Sequence, residues 1–527
     1  MSRRGDELLR LADGVLLPGF EGTTPPDWVR RRLAGGLAGV VLFSRNIVPG
    51  DPGQVAALTA ALKAENPDAV VGIDEESGEV TRLEAASGSS RPGGYALGVV
   101  DDVELTEEIA RGLGADLAGA GVTVNFAPSA DVNSNPDNPV IGLRAFGADP
   151  ALVARHTVAW VRGLQSAGVA ACAKHFPGHG DTSVDSHHAA PYLPVTAEEL
   201  RETALVPFRA AVEAGVRAVM TGHLVVPAID PGIPATLSRE VLTGVLRGEL
   251  GFGGLVVTDA IEMSAVAGPY GIGGAAARAV AAGADAICVG GENVDQRTAE
   301  RLRDAIADAV IDGLLSEERL AEAAGRVAEL AAWSAARPRH GGLNGVSSGG
   351  LGGEPGGAPD GALPTTLGLA AARRALRVTR RSAAVAFPLA GPPHVLELAP
   401  ETNLAIDKGT PWGVSGPLAE LLPGTTVTRL RADGATGSAV ESVLAEAVGR
   451  PLVAVVRDAH RHKWQMDVLG HLLAARPDAV VVEMGLPGRS DLGAVHIATH
   501  GSAPVCGMAA AEVLTGRATT PAPVPAR

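Results

Sequence analysis

Eight short, almost unbroken apolar runs recur through the first 290 residues, and Ala-rich amphipathic stretches lie between most of them. The runs cover residues 15–20, 40–45, 69–76, 122–129, 169–176, 218–224, 255–260 and 286–290. A strand that is apolar along its whole length has no face to offer to water. It must be covered on both sides, which calls for a parallel sheet flanked by helices. The stretches 52–63, 105–120, 151–167 and 197–214 supply such helices, and a further helical stretch from 295 to 336 closes the segment. Eight βα units in about 300 residues predict an α/β fold of the closed (β/α)8 TIM type. A doubly wound open sheet in two domains is the alternative.

One break interrupts the alternation. Ten glycines fall between 341 and 361, with no apolar periodicity around them, and this predicts a flexible linker over 338–366. Residues 1–337 form the expected barrel domain. Beyond the linker, strand-like runs at 395–398, 426–430, 452–456 and 480–484 alternate with helices. They predict a smaller α/β sandwich over 367–517, followed by a frayed, Pro- and Ala-rich tail at 518–527.

Charge and composition narrow the function. Lys plus Arg number 44 against 59 Asp plus Glu, a net charge of −15. Such a chain does not adhere to phosphate backbones or anionic membranes by general charge, so nucleic acid and membrane are poor partners. No apolar window is long enough to span a bilayer. The first 20 residues carry Asp6, Glu7 and Asp13 rather than the apolar core of a secretion signal. Cys172, Cys288 and Cys506 are far apart, an odd and sparse count that suits a reducing cytoplasm and reads as buried small hydrophobes. Aromatic residues are only 3%, which leaves little stacking platform for a long glycan.

Polar residues collect just after the apolar runs, on the rim where barrel chemistry resides. The third run leads into Asp74-Glu75-Glu76-Ser77-Gly78-Glu79-Val80-Thr81-Arg82. After the fourth come Asp131 and a loop reaching Arg144. The fifth leads into Lys174-His175-Phe176-Pro177-Gly178-His179 and on to Asp185, His187 and His188. His223 follows the sixth, and Asp259 ends the seventh. Asp185 and His187 are two apart, a spacing that lets the carboxylate accept a hydrogen bond from the nearer ring nitrogen. The other nitrogen is then prepared for acid/base work. A solvated polar loop is the competing reading. Asp259, at the end of an apolar strand, suits a nucleophile or an electrostatic stabiliser. Zinc on His175, His179 and His187 is disfavoured, because Pro177, Gly178 and Gly180 break the helix that i, i+4 ligation needs.

Residues 174–188 (KHFPGHGDTSVDSHH) and 256–263 (VVTDAIEM) together resemble the β-N-acetylglucosaminidase branch of glycoside hydrolase family 3, which includes enzymes of peptidoglycan recycling. The segments GVVLFSRNI (39–47), NPVIGLRAFG (138–147), MTGHL (220–224) and PATLS (234–238) extend the resemblance in family order. It implies a retaining exo-hydrolase that works without cofactor or metal. Asp259 would be the nucleophile that forms a covalent glycosyl intermediate, and His187 the general acid and then base, with Asp185 as its partner. An imidazole thus stands where most glycosidases place a second carboxylate. Asp74, Arg82, Asp131, Arg144, Lys174 and His175 would hold the hydroxyls and N-acetyl group of the terminal sugar. His179 and His223 would either line the pocket or support its loops. Ser77 departs from the family's usual glycine, and Leu143 and Ala145 flank Arg144 where a polar residue and serine are common.

The implied substrate is a small GlcNAc-containing glycan, a muropeptide or a chitin fragment. Phosphorolysis of the same bond is the alternative, because a neutral imidazole does not repel phosphate as a carboxylate would. A non-catalytic sugar-binding protein is a third reading, which intact Asp259, Asp185 and His187 oppose. In the smaller domain, Asp458-Ala459-His460-Arg461-His462-Lys463-Trp464 is the one chemical-looking cluster. It reads as a solvated loop, or as a contact to substrate or to a second subunit.

Overall fold

The computed structural model describes residues 5–184, 190–291, 295–337, 366–382 and 385–518. The expected linker, apart from Thr366, and the tail beyond Ala518 lie outside the described residues. The chain separates into two compact units.

The first unit holds β1 (Leu16–Pro18), β2 (Gly39–Leu42), β3 (Val70–Ile73), β4 (Val124–Asn125), β5 (Ala170–Phe176), β6 (Ala218–Thr221), β7 (Leu255–Thr258) and β8 (Ile287–Val289). From β2 to β7 they pair in sequence order as one parallel ladder, and β1 pairs in parallel with β8. Val257 of β7 bridges to Ala286 just ahead of β8, and β1 lies beside β2, so the sheet curls into a TIM-like barrel. Every residue of all eight strands is buried, which is why the sequence runs are apolar without alternation.

Leu17, Val41, Val70, Val124, Phe126, Cys172, Met220, Val257 and Cys288 fill the interior, and Val327 and Leu330 of the helix Glu317–Ala335 join the same cluster. Phe126 is the one aromatic among these fully buried residues. Its ring requires the glycine of β3: a Cβ on Gly72 would stand 2.7 Å from it.

Asp285, wholly buried, immediately precedes β8 and so belongs to the end of the barrel away from the strand-following loops. Its Oδ2 accepts from Arg247 at 2.5 Å and from the Val256 N–H at 2.9 Å. Its Oδ1 accepts from Arg319 at 2.7 Å and Arg326 at 3.3 Å. One carboxylate thereby ties β7, β8 and two outer helices together.

The second unit contains β9 (Arg377–Arg380), β10 (His394–Leu398), β11 (Thr426–Leu430), β12 (Leu452–Val456), β13 (Val480–Glu483) and β14 (Val495–Ala498), in the order β11-β10-β12-β13-β14-β9. All neighbours are parallel except β9, which runs antiparallel to β14. Period-two alternation divides the strand residues between two helical layers. Val395, Val453, Val455, Val480 and Val482 pack with the helices Leu367–Ala375, Ser415–Leu421 and Pro504–Leu514. Leu396, Leu398, Ala454, Val456 and Val481 pack with Gly437–Glu446 and Lys463–Ala475. This is the expected α/β sandwich. Its β9 is invisible as an apolar run because Arg-Val-Thr-Arg is a part-exposed edge.

Two excursions from the barrel sequence, Ser77–Asp101 and Gly142–Arg144, belong to this second unit. Arg82 donates to the Asp407 carboxylate at 2.7 Å and to the Ala405 carbonyl at 3.0 Å, and Arg457 pairs with Glu79 at 2.5 Å. Those partners follow β10 and β12, the strands on either side of the point where strand order reverses. Doubly wound sheets take ligands in the crevice at such a point; here the chain's own segment reaches into it.

Two measurements check these accounts. Asp285→Ala leaves three arginines facing a lost partner and is expected to cost about 3–5 kcal/mol of stability in urea denaturation. In β14, burial holds the His496 imidazole down at about 4, against a weaker upward pull from Asp491. The unfolded chain therefore binds the proton more readily. Stability is full above pH ~6.5 and falls as pH drops toward ~4, by roughly 2 kcal/mol between pH 7.5 and 5. His496→Leu is expected to flatten that part of the pH dependence of the denaturation midpoint.

Candidate active site

The end of β5 carries the densest chemistry. Lys174 is 2% exposed, and an unpaired ammonium so placed would cost several kcal/mol. Its Nζ meets Asp74 Oδ1 at 2.7 Å and Glu76 Oε1 at 2.7 Å. Asp74 and Glu76 follow β3 two residues apart, the spacing that puts side chains on the same side of an extended backbone. The Asp74 side chain keeps 21% of its surface exposed, while Glu76 keeps 6%. The triad therefore presents Asp74 outward and rests on Glu76 within.

Asp131, wholly buried, organises the next residues. Its Oδ2 accepts from Ser129 Oγ at 2.9 Å and pairs with His175 Nδ1 at 2.8 Å. Its Oδ1 accepts from the main-chain N–H of His175 at 3.1 Å and of His179 at 2.6 Å. Burial alone would push this carboxyl up; His175 and His179 outweigh it and hold it below its ordinary value. An anionic Asp131 fixes the proton of His175 on Nδ1.

His179 is 2% exposed, with Nδ1 2.7 Å from Thr182 Oγ1 and its carbonyl accepting from Asn138 Nδ2 at 2.8 Å. Burial, reinforced by His175, lowers its imidazole to about 4, so it is neutral at pH 7. Asn138 also accepts the N–H groups of Val140 and Ile141. Asp185 and His187 lie outside the described residues.

Asp259 follows β7 and is half-buried. Its N–H donates to the Thr221 carbonyl at 3.1 Å, and its Oδ1 accepts from the Ala260 N–H at 2.8 Å. His223, wholly buried, donates from Nε2 to the Ala260 carbonyl at 3.0 Å and turns Nδ1 to Thr236 Oγ1 at 2.8 Å. Both His179 and His223 are thus engaged in supporting loops. Burial pushes the Cys172 thiol up, and Lys174, Asp74 and Asp259 all act on it. The same three groups act on Cys288. The structure accordingly gathers Asp74, Lys174 and Asp259 around one end of the barrel core, with Asp131 and His175 beside them.

Arg82 and Arg144 fall in the second unit. Arg82 has the Asp407 pairing described above. Arg144 ends the short turn Gly142–Arg144, is 7% exposed and acts electrostatically on the buried carboxyl of Glu79. Asp458 Oδ1 accepts from the Leu486 N–H at 2.7 Å, which makes that residue of the smaller unit's cluster a loop fastener.

Sequence reasoning missed Glu76, Ser129, Thr182 and Thr236. The i, i+2 spacing of Glu76 from Asp74 was a signal for the first. The others are neutral hydroxyls whose importance depends on what the fold brings opposite them.

The arrangement is suited to a ligand rich in hydroxyls, with charged acceptors and a donor at one end and a half-buried carboxylate within the same cluster. Comparison with known proteins agrees. Residues 27–330 match the family described as Glycosyl hydrolase family 3 N terminal domain. A beta-hexosaminidase of Stenotrophomonas maltophilia (strain K279a) is 38% identical over 288 residues, 52% of this chain and 83% of the relative. Beta-hexosaminidase A of Pseudoalteromonas piscicida is 32% identical over 333 residues, 58% of this chain; the match spans only 55% of that relative. A solved structure of a glycoside hydrolase family 3 beta-N-acetylglucosaminidase from Paenibacillus sp. str. FPU-7 superposes with a TM-score of 0.82 at 34% identity, over 97% of each chain.

Asp131→Asn tests the inner network. It is expected to lower stability by about 1.5–3 kcal/mol, the range for a hydrogen bond to a charged group. Nitrogen NMR of the imidazoles would show His175 protonated on Nδ1 in the native chain and a mixture of tautomers in the variant.

Proposed function

The chain belongs to glycosyl hydrolase family 3, and from that premise we propose that it is a retaining exo-β-N-acetylglucosaminidase. It is a glycoside hydrolase. In this proposal it releases terminal β-linked N-acetylglucosamine from muropeptides or chitin-type oligosaccharides. The observation that carries the proposal is the half-buried carboxylate of Asp259, which follows β7 at the same end of the barrel as the Lys174–Asp74 pair. The names of the relatives, beta-hexosaminidase and beta-N-acetylglucosaminidase, support the same substrate class.

In the proposed reaction Asp259 attacks the anomeric carbon while His187, oriented by Asp185, gives its proton to the leaving oxygen. A glycosyl ester on Asp259 results. Neutral His187 then takes a proton from water, which attacks the same carbon and frees the sugar with its configuration retained. Asp74, Lys174 and His175 hold the sugar hydroxyls. Asp131 serves His175, by fixing Nδ1 as the protonated nitrogen and so directing Nε2 to the sugar. Arg82 and Arg144 are proposed sugar contacts on the family resemblance.

Among the described residues no helix is long and apolar enough to cross a membrane. The three cysteines are buried and free of disulfides, which supports the cytoplasmic setting we propose.

Asp259→Asn is expected to lower turnover of an aryl N-acetyl-β-glucosaminide by at least about 10³-fold. Near-native turnover in the variant would sink the assignment. Incubating the native chain with chitobiose and purified muropeptides, with and without phosphate, then decides the acceptor. Free N-acetylglucosamine in both arms is the expected product, and a sugar 1-phosphate would replace hydrolysis with phosphorolysis.

A further inference from the structure

Glu262, three residues after Asp259, has no part in the chemistry above. Its side chain turns toward the end of β8. There Oε1 accepts the Gly290 N–H at 2.8 Å and the Gly291 N–H as well. The other oxygen, Oε2, is buried with no hydrogen-bond partner among the described residues.

Arg45, from the segment after β2, holds the carbonyls of the same two glycines. Its guanidinium donates to the Gly290 carbonyl at 2.6 Å and to the Gly291 carbonyl at 3.2 Å, and it lies 4.4 Å from the centre of the Phe43 ring. Position 290 takes nothing larger than glycine, since a Cβ there would stand 2.3 Å from that ring. The loop carrying Asp259 is bound to the same place along its backbone: the Ile261 N–H donates to the Cys288 carbonyl at 3.0 Å.

We propose that Glu262 is a positioning residue for Asp259, which it sets by clamping the Asp259–Met263 loop onto the backbone of Gly290 and Gly291, whose carbonyls Arg45 holds. The proposal rests on the reading of Asp259 as nucleophile. Contacts from two neighbouring strands fix that short loop. Thr221 and His223 hold it from β6, and Cys288 holds it through the backbone. Glu262 supplies the side-chain tie that orients its far end. Burial, with Asp259 adding to it, pushes the Glu262 carboxyl above its ordinary value. Glutamine keeps an Oε1 acceptor for the two N–H groups at nearly the same shape, which gives the test its conservative control.

Two readouts are needed, one of them independent of turnover. In steady-state kinetics on an aryl N-acetyl-β-glucosaminide, Glu262→Ala is expected to lower kcat about 10- to 100-fold, with KM within about 3-fold of native. Glu262→Gln is expected to recover most of kcat. Arg45→Met, which releases the other side of the clamp, is expected to lower kcat with the same sparing of KM. In hydrogen exchange, the amides of Gly290, Gly291 and Ile261 are expected to exchange at least about 10-fold faster in Glu262→Ala, and within about 3-fold of native in Glu262→Gln.

Native kcat in Glu262→Ala would overturn the proposal. So would equal losses in the alanine and glutamine variants, or unchanged exchange at the two glycines. If the native chain does not hydrolyse the glycoside, the proposed function fails, and the exchange measurement still decides whether the clamp exists.

Discussion

Lys174 sits inside a strand with no solvent face, and its ammonium is stable there because two carboxylates meet it at 2.7 Å each. Much of the candidate site follows from that requirement. Burying the charge demands partners; the partners come from the segment after β3, two strands away in the sheet; and β3 and β5 are thereby held at fixed separation across β4. Asp131 does for the main chain what Asp74 and Glu76 do for the lysine. It lies buried after β4 and takes up four donors from its own loop and the end of β5. A site built in this way needs no reorganisation to present its charges, which is the condition under which fixed dipoles and ions act most strongly on a bound ligand.

The two ends of the barrel use buried charge differently. Asp285, ahead of β8, faces three arginines and a main-chain N–H. That arrangement ties elements together and offers the ligand nothing. At the other end the charges are arranged so that Asp74 and Asp259 retain exposure. The charges at one end are fully engaged in ties between elements, and those at the other keep some contact with solvent.

Much of this was legible in the amino-acid order. Uninterrupted apolar runs announced parallel strands, and polar residues after them marked the rim. Four things were not legible. Asp131 reads in sequence as one more polar residue of the rim, and neither its complete burial nor its four hydrogen bonds could be read there. His179 and His223 gave no sign in sequence of their ring contacts to Thr182, Thr236 and the Ala260 carbonyl. Arg82 follows a barrel strand in sequence but pairs with Asp407, more than 300 residues on. Strands β9 and β14 escaped, the first because an edge strand need not be apolar and the second because His496 interrupts a run of only four residues.

The sequence alone determined the strand count of the barrel, the location of the rim and the identity of the residues able to carry chemistry. These are consequences of burial and of local spacing, which a linear string records. Only the tertiary structure decided which of those polar groups face one another and which keep contact with solvent. That choice depends on distances between residues such as Asp131 and His175, or Glu262 and Gly290, which lie far apart along the chain or at its turns. A carboxylate's role depends on the donors around it, and the fold brings those donors together.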